Sequence, residues 1–390
     1  MNILMLSPEP FFQPRGTPIS VYFRIKALSD LGNKVDLITY PLGENKYIEN
    51  LKILRIPNVF SIKKIKIGPS FMKIPLDLLL SFKAFFRLTK RRYDLIFSHE
   101  EAAPIGVILA KIFHLPHLYD MHSSLPQQLE NFNFSHSPLI KKIFLCMEKF
   151  VLKNSHAIIV ICLDLLKKVK NKGFEKKTVI LENFLNFDYR ESSTLEINKG
   201  KKKYSPGGEK IVLYTGNFQS YQGISLLLKA ASKIKNKNVV FLLIGGTKSR
   251  VEEMKKISKN LKIEDKIHFI GQVNPSQIPM FISMADVLIS PRISGTNTPL
   301  KIYSYLKSGK PLVATNLWTH TQILNDKIAI LVRPDAESLA EGLLYALFND
   351  GAQRIGKTAK EWAKKLYNYT QYLEKIKEVL QIAGCAGREI

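Results

Sequence analysis

The sequence has no run of the roughly 18–20 apolar residues that a membrane-spanning helix needs. Its longest greasy stretch, Ile74 to Leu88, is interrupted by Pro75, Asp77, Lys83 and Arg87. A secretory leader is not evident either, because the apolar Ile3–Leu6 runs at once into Ser7-Pro8-Glu9-Pro10. These absences predict a cytoplasmic protein. Cysteine is scarce: Cys146, Cys162 and Cys385 have no metal-ligand spacing and cannot all pair, which argues against a disulfide framework or a zinc cluster. No zinc-finger spacing or aromatic RNA-binding signature accompanies the charge, so nucleic acid is not the expected partner. Acidic residues are few, 33 against 58 Lys and Arg, leaving a formal net charge of +25. Such a surface attracts polyanions, and without nucleic-acid motifs an anionic membrane surface is the expected one.

What is present suits two globular cores. The chain has 390 residues, 45% of them hydrophobic, against a usual domain size of ~150 residues. Short β-branched or aromatic runs alternate with helical patterns, the signature of parallel sheets covered on both faces. In the first half the runs are Asn2–Leu6, Val35–Tyr40, Leu95–Ser98, His117–Asp120, Ala157–Ile161 and Thr178–Leu181. A helix from about Ile19 to Leu31 follows the first and is closed by Gly32. Between Arg190 and Lys210 the composition turns to charge, Ser, Gly and Pro, which reads as a linker. The pattern then restarts with Ile211–Tyr214, Val239–Ile244, Ile267–Ile270, Val287–Ser290 and Pro311–Ala314. The expected α/β domains cover residues 1–190 and 208–390. The last helical stretch, about Ala359 to Ile382, is expected to cap the second domain, with a crossing back to the first as a further option.

The order of several segments resembles the retaining group-1 glycosyltransferases of family 4. They are Arg15-Gly16-Thr17-Pro18, Ser98-His99-Glu100, Tyr119-Asp120-Met121-His122, Tyr214-Thr215-Gly216, Phe269-Ile270-Gly271, Ala285-Asp286-Val287-Leu288-Ile289-Ser290-Pro291 and Gly309-Lys310-Pro311-Leu312-Val313-Ala314-Thr315. That resemblance implies the GT-B fold, two facing Rossmann-like domains with an interdomain cleft. It also implies transfer of a sugar from a nucleotide-sugar donor to a glycan or lipid-linked acceptor, with retention of configuration and without a metal or other cofactor.

Residue chemistry adds to the resemblance. Gly16 follows the first strand, where a missing Cβ lets backbone N–H groups approach a phosphate. His122 follows a strand at the carboxyl edge, where α/β sheets bind ligands, and is the expected catalytic histidine. Arg15, His99, Glu100 and Ser123 fall on the acceptor side. The donor side comprises Gly16, Thr17, Gly216, Asn217, Gln222, Val273, Arg292, Thr296, Asn297, Thr298, Pro299, Leu300 and Ser304, with Lys301 as its catalytic cation. A helix is expected to start near Pro299, with the charges of Arg292 and Lys301 beside it. Two departures from the family stand out. Thr296 and Ser304 occupy positions where it carries glutamates, and Asn217 and Gln222 occur where it places Arg and Lys. Lys301, Arg292 and Arg15 are the expected substitutes for those cations. A sugar-nucleotide epimerase, a catalytically weakened member of the fold and a non-enzymatic polyanion binder are the competing readings.

One further segment bears on the membrane. Ser61–Lys73 mixes Lys63, Lys64 and Lys66 with Ile, Phe and Met. The helix after Pro75 gathers Leu78, Phe82, Phe85 and Phe86 on one side and Lys83, Arg87, Lys90 and Arg91 on another. The aromatics are expected to pack on the sheet, leaving the preceding loop and the cations to meet an anionic bilayer.

Overall fold

The computed structural model describes residues 1–13, 16–59, 61–65, 70–127, 137–182, 193–235 and 238–385. The chain divides into two compact units, residues 1–184 with 369–390, and residues 185–368.

Unit 1 is built on a seven-stranded parallel sheet in the order β3-β2-β1-β4-β5-β6-β7. The strands are β1 Asn2–Ser7, β2 Lys34–Thr39, β3 Leu51–Arg55, β4 Leu95–His99, β5 His117–Met121, β6 Ala157–Val160 and β7 Thr178–Ile180. Covered by helices on both faces, β1, β4, β5 and β6 are buried almost throughout, and the polar side chains Ser98, His99, His117 and Asp120 lie in β4 and β5. Strand order reverses between β1 and β4, which opens a crevice at their carboxyl ends. Gly106 lets the helix Ala103–Ile112 approach β4 closely, since a Cβ there would lie 1.9 Å from Ser98 Oγ.

Unit 2 repeats the plan with six parallel strands in the order β10-β9-β8-β11-β12-β13. They are β8 Lys210–Thr215, β9 Val239–Ile244, β10 Ile267–Gly271, β11 Val287–Ser290, β12 Leu312–Thr315 and β13 Ile330–Val332. Its switch point lies between β8 and β11. All eleven expected strands form, within a residue of the expected limits at each end. Two were not expected: β3 is a half-buried edge strand with no apolar run, and β13 has only three residues.

The division of the chain corrects three expectations. Residues 194–204 form a helix rather than a linker, opened by a capping box in which Ser193 Oγ accepts from Glu196 N at 3.2 Å. The second unit ends at Asn368, because the helix Tyr369–Ile382 packs against Gly16–Asp30, β6 and β7 of unit 1. The helix expected near Pro299 begins at Lys301, so Pro299 precedes its first turn instead of occupying it.

The helix Lys73–Lys90 reverses another expectation. Its buried row is Leu76, Leu80, Ala84 and Leu88, while Leu78, Phe82 and Phe86 are more than half exposed. The physical reason is spacing: the fully buried residues recur every four positions along the side that faces the sheet, with Leu79 packed at its margin. In the preceding loop Ile62 and Ile65 are buried and Lys63 and Lys64 exposed, whereas Lys66 lies outside the described residues. Arg87 is not available to a bilayer, since its guanidinium grips Asp36 at 2.7 and 3.0 Å. Lys83 is likewise engaged, donating to the Arg55 carbonyl. Among the described residues no helix is long and apolar enough to cross a membrane.

Candidate functional site

In unit 1 the carboxyl ends of β1, β4 and β5 bring a group of ionisable side chains together. His99 ends β4, Asp120 lies near the end of β5 and His122 follows it by one residue. Asp120 Oδ2 lies 3.2 Å from His122 Nε2, 3.4 Å from His99 Nδ1 and 3.0 Å from Arg24 Nε. All four groups are buried. Burial alone would raise the Asp120 carboxyl, but Arg24, His122 and His99 overcome it and hold the group well below the usual carboxylate range. Burial pulls His122 down; the attraction of Asp120 and Glu100 wins and leaves it above the usual histidine range. Burial prevails at His99, which is held down and neutral.

Two more carboxyls belong to this cluster. Glu100, with a left-handed φ of 48°, accepts from Ser123 Oγ at 2.9 Å, and burial pushes it up to about 7. Glu9, in the turn after β1, accepts from Ser7 Oγ at 3.0 Å, and burial pushes it up to about 8 against the pull of His122. The loop beyond His122 is pinned by Glu148, which accepts from Ser124 Oγ at 2.7 Å and Leu125 N at 2.9 Å.

The ligand-type atoms of His99, Asp120 and His122 lie within 4.8 Å of one another, close enough for a metal ion. The Arg24 guanidinium, however, already holds the shared Asp120 oxygen, and its fixed charge repels a second cation.

Unit 2 gathers a cationic site at the ends of β8, β11 and β12. Lys301 Nζ lies 3.6 Å from the centre of the Tyr214 ring and 3.5 Å from Gln222 Oε1. Gly216, with φ 141°, leaves space beside it, as a Cβ there would stand 3.2 Å from Lys301 Nζ. Gly223 is required by contact as well as conformation, since with φ 73° its Cβ would fall 1.8 Å from the Pro291 carbonyl. That approach joins the Gln222 turn to the loop after β11. Arg292 stacks over Tyr221 and donates to the Asn297 carbonyl at 2.9 Å and Thr319 Oγ1 at 2.8 Å. Arg292 Nε and Thr298 Oγ1 are buried without a hydrogen-bond partner among the described residues. Burial, then Arg292, pushes the Lys301 amine well below its usual range. Neither cation pairs with a carboxylate among the described residues.

The structure thus brings His99, Glu100, His122 and Ser123 together in unit 1, and Gly216, Gln222, Arg292, Asn297 and Lys301 together in unit 2. Gly16 is exposed at the start of its helix with φ 34°, next to half-buried Thr17. Arg15 lies outside the described residues. Asn217 is exposed, and its carbonyl accepts from Tyr214 Oη at 2.7 Å. Thr296 offers its carbonyl to Gln322, Ser304 is buried within its helix, Pro299 and Leu300 lead into that helix, and Val273 packs on the apolar core. Sequence reading missed Glu9, Arg24 and Tyr372. For Glu9 a signal existed, a carboxylate in the turn closing the first strand; the other two depend on distant contacts.

Comparison with known proteins follows this division. Residues 14–189 match the family model described as Glycosyltransferase Family 4, and residues 196–365 the one described as Glycosyl transferases group 1. An uncharacterized glycosyltransferase of Methanocaldococcus jannaschii is 24% identical, with 98% of each chain covered. The alpha-monoglucosyldiacylglycerol synthase of Streptococcus pneumoniae is 23% identical over 89% of this chain and 78% of that one. A phosphatidyl-myo-inositol mannosyltransferase of Mycobacterium tuberculosis is 21% identical over 100% of this chain and 99% of that one. Among solved structures, Anabaena HepE in complex with UDP superposes with a TM-score of 0.77 at 17% identity, covering 98% of this chain and 100% of that one. Sucrose-phosphate synthase from Thermosynechococcus elongatus gives 0.79 at 19% identity, covering 99% and 100%.

Proposed function

Because the chain is a glycosyltransferase of the GT-B fold, built from a Family 4 and a group-1 domain, we propose that it moves a sugar from a nucleotide-sugar donor to a lipid-linked acceptor or cell-surface glycan precursor, retaining anomeric configuration and needing no metal. The observation that carries the donor half is the pair of buried cations, Lys301 and Arg292, left without a carboxylate among the described residues. Charging such groups in a buried place without a counterion is costly, and burial holds the Lys301 amine down; a diphosphate would supply the missing countercharge and favour its charged form. As the bond from the anomeric carbon to the phosphate oxygen breaks, charge grows on the departing diphosphate and these groups stabilise it. His122, held by Asp120, orients the sugar and the incoming hydroxyl.

Two relatives whose names specify lipid products or acceptors, a glucosyldiacylglycerol synthase and a phosphatidylinositol mannosyltransferase, support a lipid-linked acceptor. The exposed Leu78, Phe82 and Phe86 beside Lys90 and Arg92 support work on the inner face of an anionic cell membrane. The test is transfer from labelled UDP- and GDP-sugars to lipid extracts, with the product anomer read by NMR and each assay repeated without acceptor. An inverted product overturns retention, and conversion of donor without acceptor favours epimerisation. His122→Ala is expected to depress kcat with donor affinity kept.

A further inference from the structure

A buried line of polar contacts connects the last helix of the protein to His122. Arg24, fully buried at the centre of the helix Gly16–Asp30, extends three ways. Its Nε donates to Asp120 Oδ2 at 3.0 Å, one terminal nitrogen to the Leu181 carbonyl at 2.9 Å, and the other to Tyr372 Oη. Tyr372 belongs to the helix Tyr369–Ile382, and its ring lies 5.4 Å from the guanidinium carbon. That ring stacks on Tyr369, which in turn donates to Asp30. The helix is therefore held at Tyr372 and one turn before it at Tyr369.

A structural role alone explains this poorly. Apolar side chains of the same volume commonly stabilise as well as a buried ion pair does. Here Arg24, Asp120, His99, His122, Glu9 and Glu100 all cluster at one sheet edge. Asp120 Oδ1 and His99 Nε2 have no hydrogen-bond partner among the described residues, and His99 Nδ1 meets Asp120 Oδ2 only at ion-pair distance, 3.4 Å. One carboxylate oxygen serves both the guanidinium and the imidazole, so the two cations compete for it. A firm grip by Arg24 weakens the pull on His122, and a looser grip strengthens it.

We infer that Arg24 and Tyr372 are positioning residues of the transfer site, which set the orientation and charge of the His122 imidazole through Asp120, so that the C-terminal helix completes the site. The inference rests on the reading of His122 as a transfer residue. Among the described residues the groups facing His122 include Asp120, Glu100, Glu9, His99 and Arg24; Tyr372→Phe substitutes none of them and removes the hydroxyl that holds Arg24.

The experiment uses the full chain with 15N-labelled histidine, in wild type, Tyr372→Phe, Arg24→Lys and His122→Ala. Ring titrations are followed by NMR and transfer by pH-resolved kinetics. In Tyr372→Phe the His122 midpoint should rise and kcat fall about 2- to 10-fold, the value of one hydrogen bond, with donor KM unchanged. Arg24→Lys, which keeps the charge and loses the fork, should move both in the same direction and further. If both variants keep the wild-type midpoint and pH profile and only melt earlier, the contacts are structural and the inference fails. If His122→Ala turns over at the wild-type rate while Tyr372→Phe still moves the ring midpoint, the transfer reading of His122 fails and the linkage stands.

Discussion

Lys301 Nζ approaches Gln222 Oε1 at 3.5 Å, so a cation from the helix after β11 reaches the place where the related family carries one after β8. Charge expected on one loop is supplied from another. The exchange is local because Gly223 and Gly216 let the two loops close on each other.

If that exchange sustains catalysis, Lys301→Ala should cut turnover ~100–1,000-fold, as loss of a transition-state donor does, and should barely alter folding. Restoring a cation by Gln222→Lys in the Lys301→Ala background should recover part of the rate. Steady-state kinetics on both variants checks this; activity of Lys301→Ala within a few-fold of wild type removes the residue from the mechanism.

Donor binding should also take up a proton. Burial and Arg292 hold the free Lys301 amine well below its ordinary 10.5, favouring the neutral form, whereas a bound diphosphate favours the charged one. Affinity for a nucleoside diphosphate should therefore weaken as pH rises through the free enzyme's lowered value. Calorimetry in buffers of different ionisation enthalpy should show uptake in wild type and none in Lys301→Met.

Why much of this was legible, and some not, follows from the range of the interactions. Buried parallel strands announce themselves as continuous apolar runs, and residues just after them fall at the ligand edge of the sheet. Hence the places of His99, Glu100, His122 and Arg292 at the ligand edges of the sheets could be read from the strand pattern. Ser193 with Glu196 was a readable helix start, hidden within a charged stretch that resembled a linker. Arg24 could not be read, because the partners that bring it into the cluster lie 96 and 348 positions away. The helix Lys73–Lys90 was misjudged for a different reason: four apolar residues on one side suggest burial, but a four-residue repeat of Leu and Ala had already filled the sheet contact.

Glu9 gives a stability prediction with a definite sign. Its carboxyl titrates at about 8 in the fold against an ordinary 4.5, so between these values the folded chain holds a proton that the unfolded chain has released. Folding stability therefore falls as pH rises across that window. Glu9→Gln removes the effect. Its melting temperature should match wild type near pH 4.5, exceed it increasingly above that, and level off beyond pH 8. Equal melting curves at pH 7.5 would show that the buried carboxyl is stabilised by charge and not by its proton.

The last prediction concerns the bilayer and follows from the exposed side of the helix Lys73–Lys90. Leu78, Phe82 and Phe86 stand more than half exposed, and Phe85 sits edge-on to Phe113 at 5.6 Å. Lys63, Lys64, Lys90 and Arg92 are exposed in or near the same segment, and among the described residues none forms an ion pair, whereas Arg87 and Arg91 already pair with Asp36. The two sets make separable contributions. Each cation near an anionic surface is worth ~1 kcal/mol and is screened by salt, while burial of aromatic area in the interface is not screened. Wild type should bind anionic vesicles and pass over neutral ones. Changing Lys63 and Lys64 to Glu should weaken binding most at low salt. Phe82→Ser with Phe86→Ser should weaken it at every salt concentration, with folding unaffected because neither ring belongs to the core. Co-sedimentation with vesicles of defined charge, at about 50 and about 500 mM salt, distinguishes these results, because the higher salt screens the cations and leaves the aromatic contribution. If wild type ignores anionic vesicles at low salt, the surface is not a membrane dock and a soluble acceptor becomes the better reading.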